Sequence, residues 1–275
     1  MPEYTVNGLQ LHYEERGDPT GAPAVLLPGL GGNHLTWGPV ARRLASRYRL
    51  VLLDPRDAGQ SARAPGPYTV ADLAGDVAAL LRHLGLATAC VVGLSMGGAV
   101  AQELAIARPD LVKRLALIAT YDAGDPRGTA IFQHFARLRR ILSRDDYHRT
   151  LLPWVYTHQE YQRVISPEEA VQRLSQDPFF QEPEAYERQV QATISFQSRD
   201  RLDRIACPTL LIFGDEDLFT PMRFARSLHA GIEGSRLVVL AGAGHGLVWT
   251  RTAEVASLID GFFQEPEPAS PKEAP

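Results

Sequence analysis

Six short, largely apolar runs, none longer than five residues, recur along this chain with room for a helix between most of them. They are Ala24–Leu27, Arg49–Leu53, Cys90–Val92, Leu115–Ala119, Thr209–Phe213 and Leu237–Leu240. Unbroken runs of this length suit strands buried on both faces of a parallel sheet, where polar residues need not alternate with apolar ones. Helical spacing fills the gaps over 36–46, 69–84, 96–107, from Pro221, and over 252–263. The clearest is 69–84. Thr69 can cap it, Asp72 stands three residues on, Val70, Leu73, Val77, Leu80, Leu81 and Leu84 form one stripe, and Gly85 ends it. Strand and helix in alternation predict an α/β fold with a mostly parallel sheet and helices on both faces.

Two regions break the alternation. Tyr4–Val6 and Leu9–Tyr13 flank Asn7-Gly8, the signal of a type I′ hairpin, which adds antiparallel strands at one edge. From 122 to 200 strand-like runs disappear and helical spacing dominates, with Ile131, Phe135, Leu138 and Leu142 on one face. This predicts a helical cap inserted over the carboxyl ends of the strands, where open α/β sheets bind ligands. The division is then a core of 1–121 and 201–264, a cap of 122–200, and a proline-rich tail, 265–275, expected to be disordered. A chain of 275 residues is long enough for one such domain with an insertion.

Composition narrows the partners. A net charge of −4 gives no reason to expect nucleic acid or a membrane surface. The N-terminal MPEYTVNGLQ lacks a basic and an apolar signal region, and no apolar run is long enough to span a bilayer, so a cytoplasmic location is expected. Cys90 and Cys207 lie far apart without metal-ligand spacing and read as buried, reduced thiols.

The chemistry concentrates at VVGLSMGGAV, residues 91–100. Gly93-Leu94-Ser95-Met96-Gly97 matches G-x-S-x-G, with a strand before it and a helix after it. That context turns the chain sharply and leaves one hydroxyl exposed at the top of the sheet, at the positive end of a helix. A serine hydroxyl needs a base. His245, in Ala241-Gly242-Ala243-Gly244-His245-Gly246, follows a buried strand and precedes the last helix. His34 is its rival, and reads better as a loop histidine at the pocket mouth. His12 sits in the edge hairpin, while His83, His134 and His148 fall on helices and read as solvated. The base needs an orienting carboxylate. Asp217 in Gly214-Asp215-Glu216-Asp217 is the choice. Asp215 is the reserve and suits bracing the loop, and Asp122 is a third candidate. The oxyanion donors are the N–H groups of Met96, after the nucleophile, and Leu30, in the loop Pro28-Gly29-Leu30-Gly31-Gly32.

Taken together, the Pro28–Gly32 loop, Asp54-Pro55-Arg56-Asp57-Ala58-Gly59-Gln60-Ser61, GLSMGG, GDEDLFTP and GAGH resemble the α/β-hydrolase superfamily over about residues 4–264. A weaker likeness, GPYTVADLAGDVAALLRHLG before the elbow, is to 3-oxoadipate enol-lactonases and bacterial esterases. The resemblance implies an α/β-hydrolase sheet and a Ser95–His245–Asp217 triad. No metal and no organic cofactor is implied. Two positions depart from the family pattern. The family often has His-Gly where this chain has Pro28-Gly29, and that histidine supports the loop. It often has glycine where Asp57 stands. A serine at the elbow, rather than the aspartate of relatives that open epoxides or displace halide, points to acyl transfer to water.

The expected activity is therefore hydrolysis of a small-molecule carboxylic ester or lactone. Cleavage of C–C bonds in diketone-type substrates, and a non-catalytic receptor on the same fold, are the alternatives. His34, Trp37, Trp154 and Trp249 are the candidate pocket residues, with Phe179 and Phe180 as further aromatics. A substrate carboxylate would want one of Arg137, Arg139, Arg140 or Arg144, although 137, 140 and 144 fall on a polar helix face and read as solvated.

Overall fold

The computed structural model describes residues 3–163 and 166–266. Eight strands form one sheet in the order β1-β2-β4-β3-β5-β6-β7-β8. They are β1 (Glu3–Val6), β2 (Leu9–Gly17), β3 (Ala22–Leu27), β4 (Tyr48–Leu53), β5 (Ala89–Leu94), β6 (Val112–Ile118), β7 (Thr209–Gly214) and β8 (Arg236–Leu240). The hairpin β1–β2 turns at Asn7 (φ 49°) and Gly8 (φ 77°), as its Asn-Gly requires. β1 pairs with β2, and β2 with β4, antiparallel; every later pairing is parallel. The central strands β5 and β7 are buried along their whole length, which is why their sequences carry no alternation.

Helices cover both faces. One layer joins α2 (Val70–His83), α3 (Met96–Ala107) and α9 (Met222–Gly231) to the sheet through Leu73, Val77, Val100, Leu104 and Leu228. The other packs α1 (Gly38–Leu44), the short α10 (Leu247–Thr250) and α11 (Thr252–Gln264) through Val40, Leu44, Leu247, Val255 and Ile259. The capping box at Thr69 forms as expected: the Thr69 side chain accepts from the Asp72 N–H, and the Asp72 carboxylate accepts from the Thr69 N–H. The segment expected to form one helix over 36–46 divides instead. His34–Trp37 is a 3₁₀ turn capped by the Asn33 side chain, and α1 starts at Gly38 with Pro39 in its first turn.

Between β6 and β7 come α4 (Pro126–Ile141), α5 (Arg144–Val155), α6 (His158–Arg163), α7 (Pro167–Ser175) and α8 (Pro183–Ser195). An aromatic cluster of Phe135, Tyr147, Tyr186 and Phe219 ties them to the loops at the carboxyl ends of the strands. No described helix is long and apolar enough to cross a membrane. The thiols differ from expectation in one respect: Cys90 is buried but Cys207 only half-buried, and burial pushes both up to about 11. The tail is also tied down at its start, where Arg114 Nη2 donates to the Glu265 and Pro266 carbonyls. Its remainder, from 267, lies outside the described residues.

Candidate active site

Ser95 has φ 53° and ψ −118°, a conformation that a residue with a Cβ adopts only under strain. The surroundings enforce it. The Ser95 N–H donates to the Ile118 carbonyl at 2.9 Å, and Thr120 Oγ1 donates to the Ser95 carbonyl at 2.7 Å. The turn closes only because its flanks are glycines: a Cβ on Gly93 would run into the Gly97 carbonyl, and one on Gly97 into the Leu27 carbonyl. Ser95 thus stands at the sharp junction of β5 and α3.

His245 and Asp217 come together from two loops. His245 Nδ1 lies 2.8 Å from Asp217 Oδ2. Asp217 is almost fully buried and well satisfied. Its Oδ1 accepts the N–H groups of Phe219 and Thr220 at 2.8 Å each, and its Oδ2 accepts the Thr220 hydroxyl at 2.6 Å. Burial alone would raise the pKa of this carboxyl. The charge and hydrogen bond of His245, then the Thr220 donors, outweigh burial and hold it below the ordinary carboxylate range. Thr220 was not singled out in the sequence, although D-x-x-T after a strand is the spacing of an Asx-type turn. Asp215 sits apart and accepts the Gly242 N–H at 2.7 Å, bracing the histidine loop. Asp122 is buried against Arg199 and Ser227 and does not reach His245.

Two backbone N–H groups flank the elbow without an acceptor among the described residues. Met96 is the first residue of α3, so its N–H has no acceptor within the helix. Leu30 lies in a turn closed by the Gly32 N–H donating to the Gly29 carbonyl at 3.0 Å. A Cβ on Gly29 would come within 3.3 Å of Ser95 Cβ, which shows how closely this turn approaches the serine. Among the described residues, the Leu30 N–H donates to no protein acceptor.

Residues of α5 and α6 and of the link between them hold the histidine loop. Val155 O accepts the Gly246 N–H at 3.0 Å, Thr157 Oγ1 donates to Gly242 O at 3.1 Å, and buried Glu160 accepts the Thr250 hydroxyl at 2.5 Å. Phe219 packs its ring on His245 with centroids 5.2 Å apart, and Trp154 packs on Phe219 at 5.9 Å. Trp249 donates its indole N–H to the Thr36 carbonyl at 3.0 Å and packs between the core and the cap cluster.

Several sequence expectations are corrected. Trp37 is no pocket residue: it is fully buried in the core with Val40, Leu50 and Leu52. His34 does not lie open at a pocket mouth. Its ring is buried, with Nδ1 2.8 Å from Asp54 Oδ1 and Nε2 3.3 Å from Glu14. His12, expected merely at an edge, is buried too, with Nδ1 3.0 Å from Asp54 Oδ2. His12, His34 and Asp54 could be taken for a metal-ligand set. The Asp54 carboxylate, however, already accepts four donors: the two rings and the N–H groups of His34 and Gln60. The cluster is therefore a saturated hydrogen-bond network. Arg139, a candidate for a substrate carboxylate, is buried, boxed by the rings of Tyr147, Phe180 and Tyr186. Arg137, Arg140 and Arg144 are exposed.

His148, expected to be solvated, is buried beside Phe180, and its Nδ1 has no hydrogen-bond partner. Burial, then the nearby Arg139 charge, lower its pKa to about 4. The unfolded chain binds this proton near the ordinary value of about 6.5, so folding stability is expected to fall as pH drops through that window. His34 acts in the opposite direction. Burial works against its charged form, but Asp54 and then Glu14 outweigh it and raise its pKa, so its contribution is lost as pH rises through the folded value. Urea unfolding across pH checks both. His148→Leu should flatten the acid limb, and His34→Gln should flatten the alkaline limb.

The chain belongs to the α/β-hydrolase fold family, whose model matches residues 23–252. Among similar proteins, one from Klebsiella pneumoniae named "Putative carbamate hydrolase RutD" is 31% identical over 82% of this chain and 85% of that protein. A protein of the same name from Caulobacter sp. strain K31 is 28% identical over 96% and 98%. Among solved structures, the enol-lactonase from Burkholderia xenovorans LB400 superposes with a TM-score of 0.87 at 28% identity, covering 96% of this chain and all of that one. A thermophilic esterase from Thermogutta terrifontis gives 0.83 at 26%, covering 95% and 96%.

Proposed function

We propose that this protein is a serine hydrolase that cleaves a neutral carboxylic ester or lactone through an acyl-enzyme on Ser95. The observation that carries the reading is the strained backbone of Ser95, held by two hydrogen bonds and two sterically required glycines. Strain of about 1–3 kcal/mol persists where function rewards it. Ser95 Oγ attacks the carbonyl carbon and passes its proton to His245 Nε2, while Asp217 stays ionised and fixes the Nδ1–H tautomer. The N–H groups of Leu30 and Met96 receive the oxyanion. His245 returns the proton to the departing alkoxide, then activates the water that releases the acid. Ser95 and His245 make no hydrogen bond to each other in this structure, and such bonds often tighten only once substrate is present.

A neutral acyl group fits the surroundings. Phe219, Trp154, Tyr186 and Leu30 belong to one apolar cluster beside His245. Three of the four cap arginines named for a substrate carboxylate are engaged elsewhere, as is Arg188, and the fourth, Arg137, is exposed. Arg140 pairs with Glu184 and Glu187, Arg144 donates to the Ser175 and Asp177 carbonyls, Arg139 donates to the Gln181 carbonyl, and Arg188 pairs with Asp57. The test compares kcat/KM on p-nitrophenyl butyrate, the p-nitrophenyl ester of a dicarboxylic half-acid of similar length, and a p-nitrophenyl carbamate. Burying an unpaired carboxylate costs several kcal/mol, so the neutral ester should be favoured by at least about a hundredfold. Preference for the half-acid would overturn the neutral-substrate reading, and preference for the carbamate would move the assignment to the activity in the relatives' name.

A further inference from the structure

We propose that Gln189, on the cap helix α8, is a positioning residue for the oxyanion loop. The proposal rests on the hydrolase reading above. Gln189 is fully buried, and its Oε1 accepts the Gly31 N–H at 3.0 Å across 158 residues of sequence. Its Nε2 donates to the Arg56 carbonyl at 3.2 Å, so both ends of the amide are used.

The bonded peptide is the decisive one. Gly29 to Gly32 form a turn closed by Gly32 N–H to Gly29 O, with Gly31 at φ 73° in third place, the signature of a type II turn. Rotating the central Leu30–Gly31 peptide is the low-cost way for such a turn to change form. Gln189 Oε1 holds that peptide in one orientation, because rotation would replace the Gly31 N–H with the Leu30 carbonyl and set two oxygens facing each other. Fixing this peptide fixes ψ of Leu30, and with it the turn that carries the Leu30 N–H on the preceding peptide.

The anchor of α8 is built to match. Arg188, the preceding residue, places Nε and Nη2 at 2.8 and 2.6 Å from the two oxygens of Asp57. Asp57 has φ 70°, so this chain accepts backbone strain at the point where the bidentate pair is made. Gln181 Nε2 donates to the Asp57 carbonyl at 2.8 Å. Gln181, Arg188 and Gln189 thus lock these cap residues to the Leu30 loop and to the turn after β4.

The test measures kcat and KM on p-nitrophenyl butyrate for wild type, Gln189→Met and Gln189→Glu, with Ser95→Ala beside them and thermal unfolding of each. Methionine keeps the volume but cannot accept from Gly31. Glutamate, protonated in this buried place, keeps the acceptor. Misplacing a catalytic donor by an ångström can cost about a hundredfold. Gln189→Met should lose about ten- to hundredfold in kcat with KM changed less than threefold. It should also bind a trifluoromethyl ketone, which forms a tetrahedral adduct, more weakly by a similar factor. Gln189→Glu should recover most of the loss. Wild-type kcat and ketone affinity in folded Gln189→Met would overturn the proposal. So would a loss that merely tracks the unfolded fraction. Full activity in Ser95→Ala would instead overturn the hydrolase reading, and the role of Gln189 with it.

Discussion

Replacing Ser95 with alanine is expected to lower kcat on a p-nitrophenyl ester by about 10⁴- to 10⁶-fold while leaving the protein folded. Alanine removes the hydroxyl but still has a Cβ, so it inherits the φ 53° strain. Glycine separates the two effects. It occupies that region without the steric cost, at a loss of about 0.5–1 kcal/mol in chain entropy against about 1–3 kcal/mol of strain relieved. Ser95→Gly should therefore be equally inactive yet more stable than Ser95→Ala by about 1 kcal/mol in urea unfolding. Equal stability of the two would mean that the elbow stores no strain.

The second large effect belongs to Asp217. Asp217→Asn is expected to cost about 10⁴-fold in kcat with a nearly unchanged fold. The asparagine carbonyl can still accept from Phe219 and Thr220, so the turn survives. The amide nitrogen would then face His245 Nδ1, where it can only donate. That forces the ring proton onto Nε2, the nitrogen that must be free to take the serine proton. Circular dichroism would confirm the fold, and kcat near wild type would remove Asp217 from the mechanism.

The elements that sequence reading reached are those whose cause is local. The elbow is a run of small residues between a strand and a helix, and the constraints on it come largely from its own neighbours. The Asn7-Gly8 hairpin and the Thr69 cap are local in the same sense. The buried network around Asp54 is different. His12, His34 and Asp54 lie on three separate elements, and nothing in the sequence near His34 marks it as buried. His148 reads as solvated because a polar helix face carries no sign of the ring of Phe180 that covers it, the same ring that lies over Arg139. The cap residues were illegible for the same reason. Gln189, Gln181 and Arg188 act on turns more than 120 residues away, and a glutamine in a polar helix carries no local signal.

The same long-range bonds tie the helices between β6 and β7 to both loops of the site. Val155, Thr157 and Glu160 grip the His245 loop, while Gln189 grips the Leu30 loop. Both loops project from the sheet without strand pairing of their own. Their geometry is therefore set by helices inserted between β6 and β7, and cap and catalytic loops should respond together to substitution.

The most direct test of the central claim is covalent labelling with a fluorophosphonate, read by intact mass and peptide mapping. The account predicts one phosphonyl group per chain, located on Ser95, with activity lost in proportion to label and no label in folded Ser95→Ala. A chain that stays unlabelled and active, or that carries its label on another residue, would contradict it.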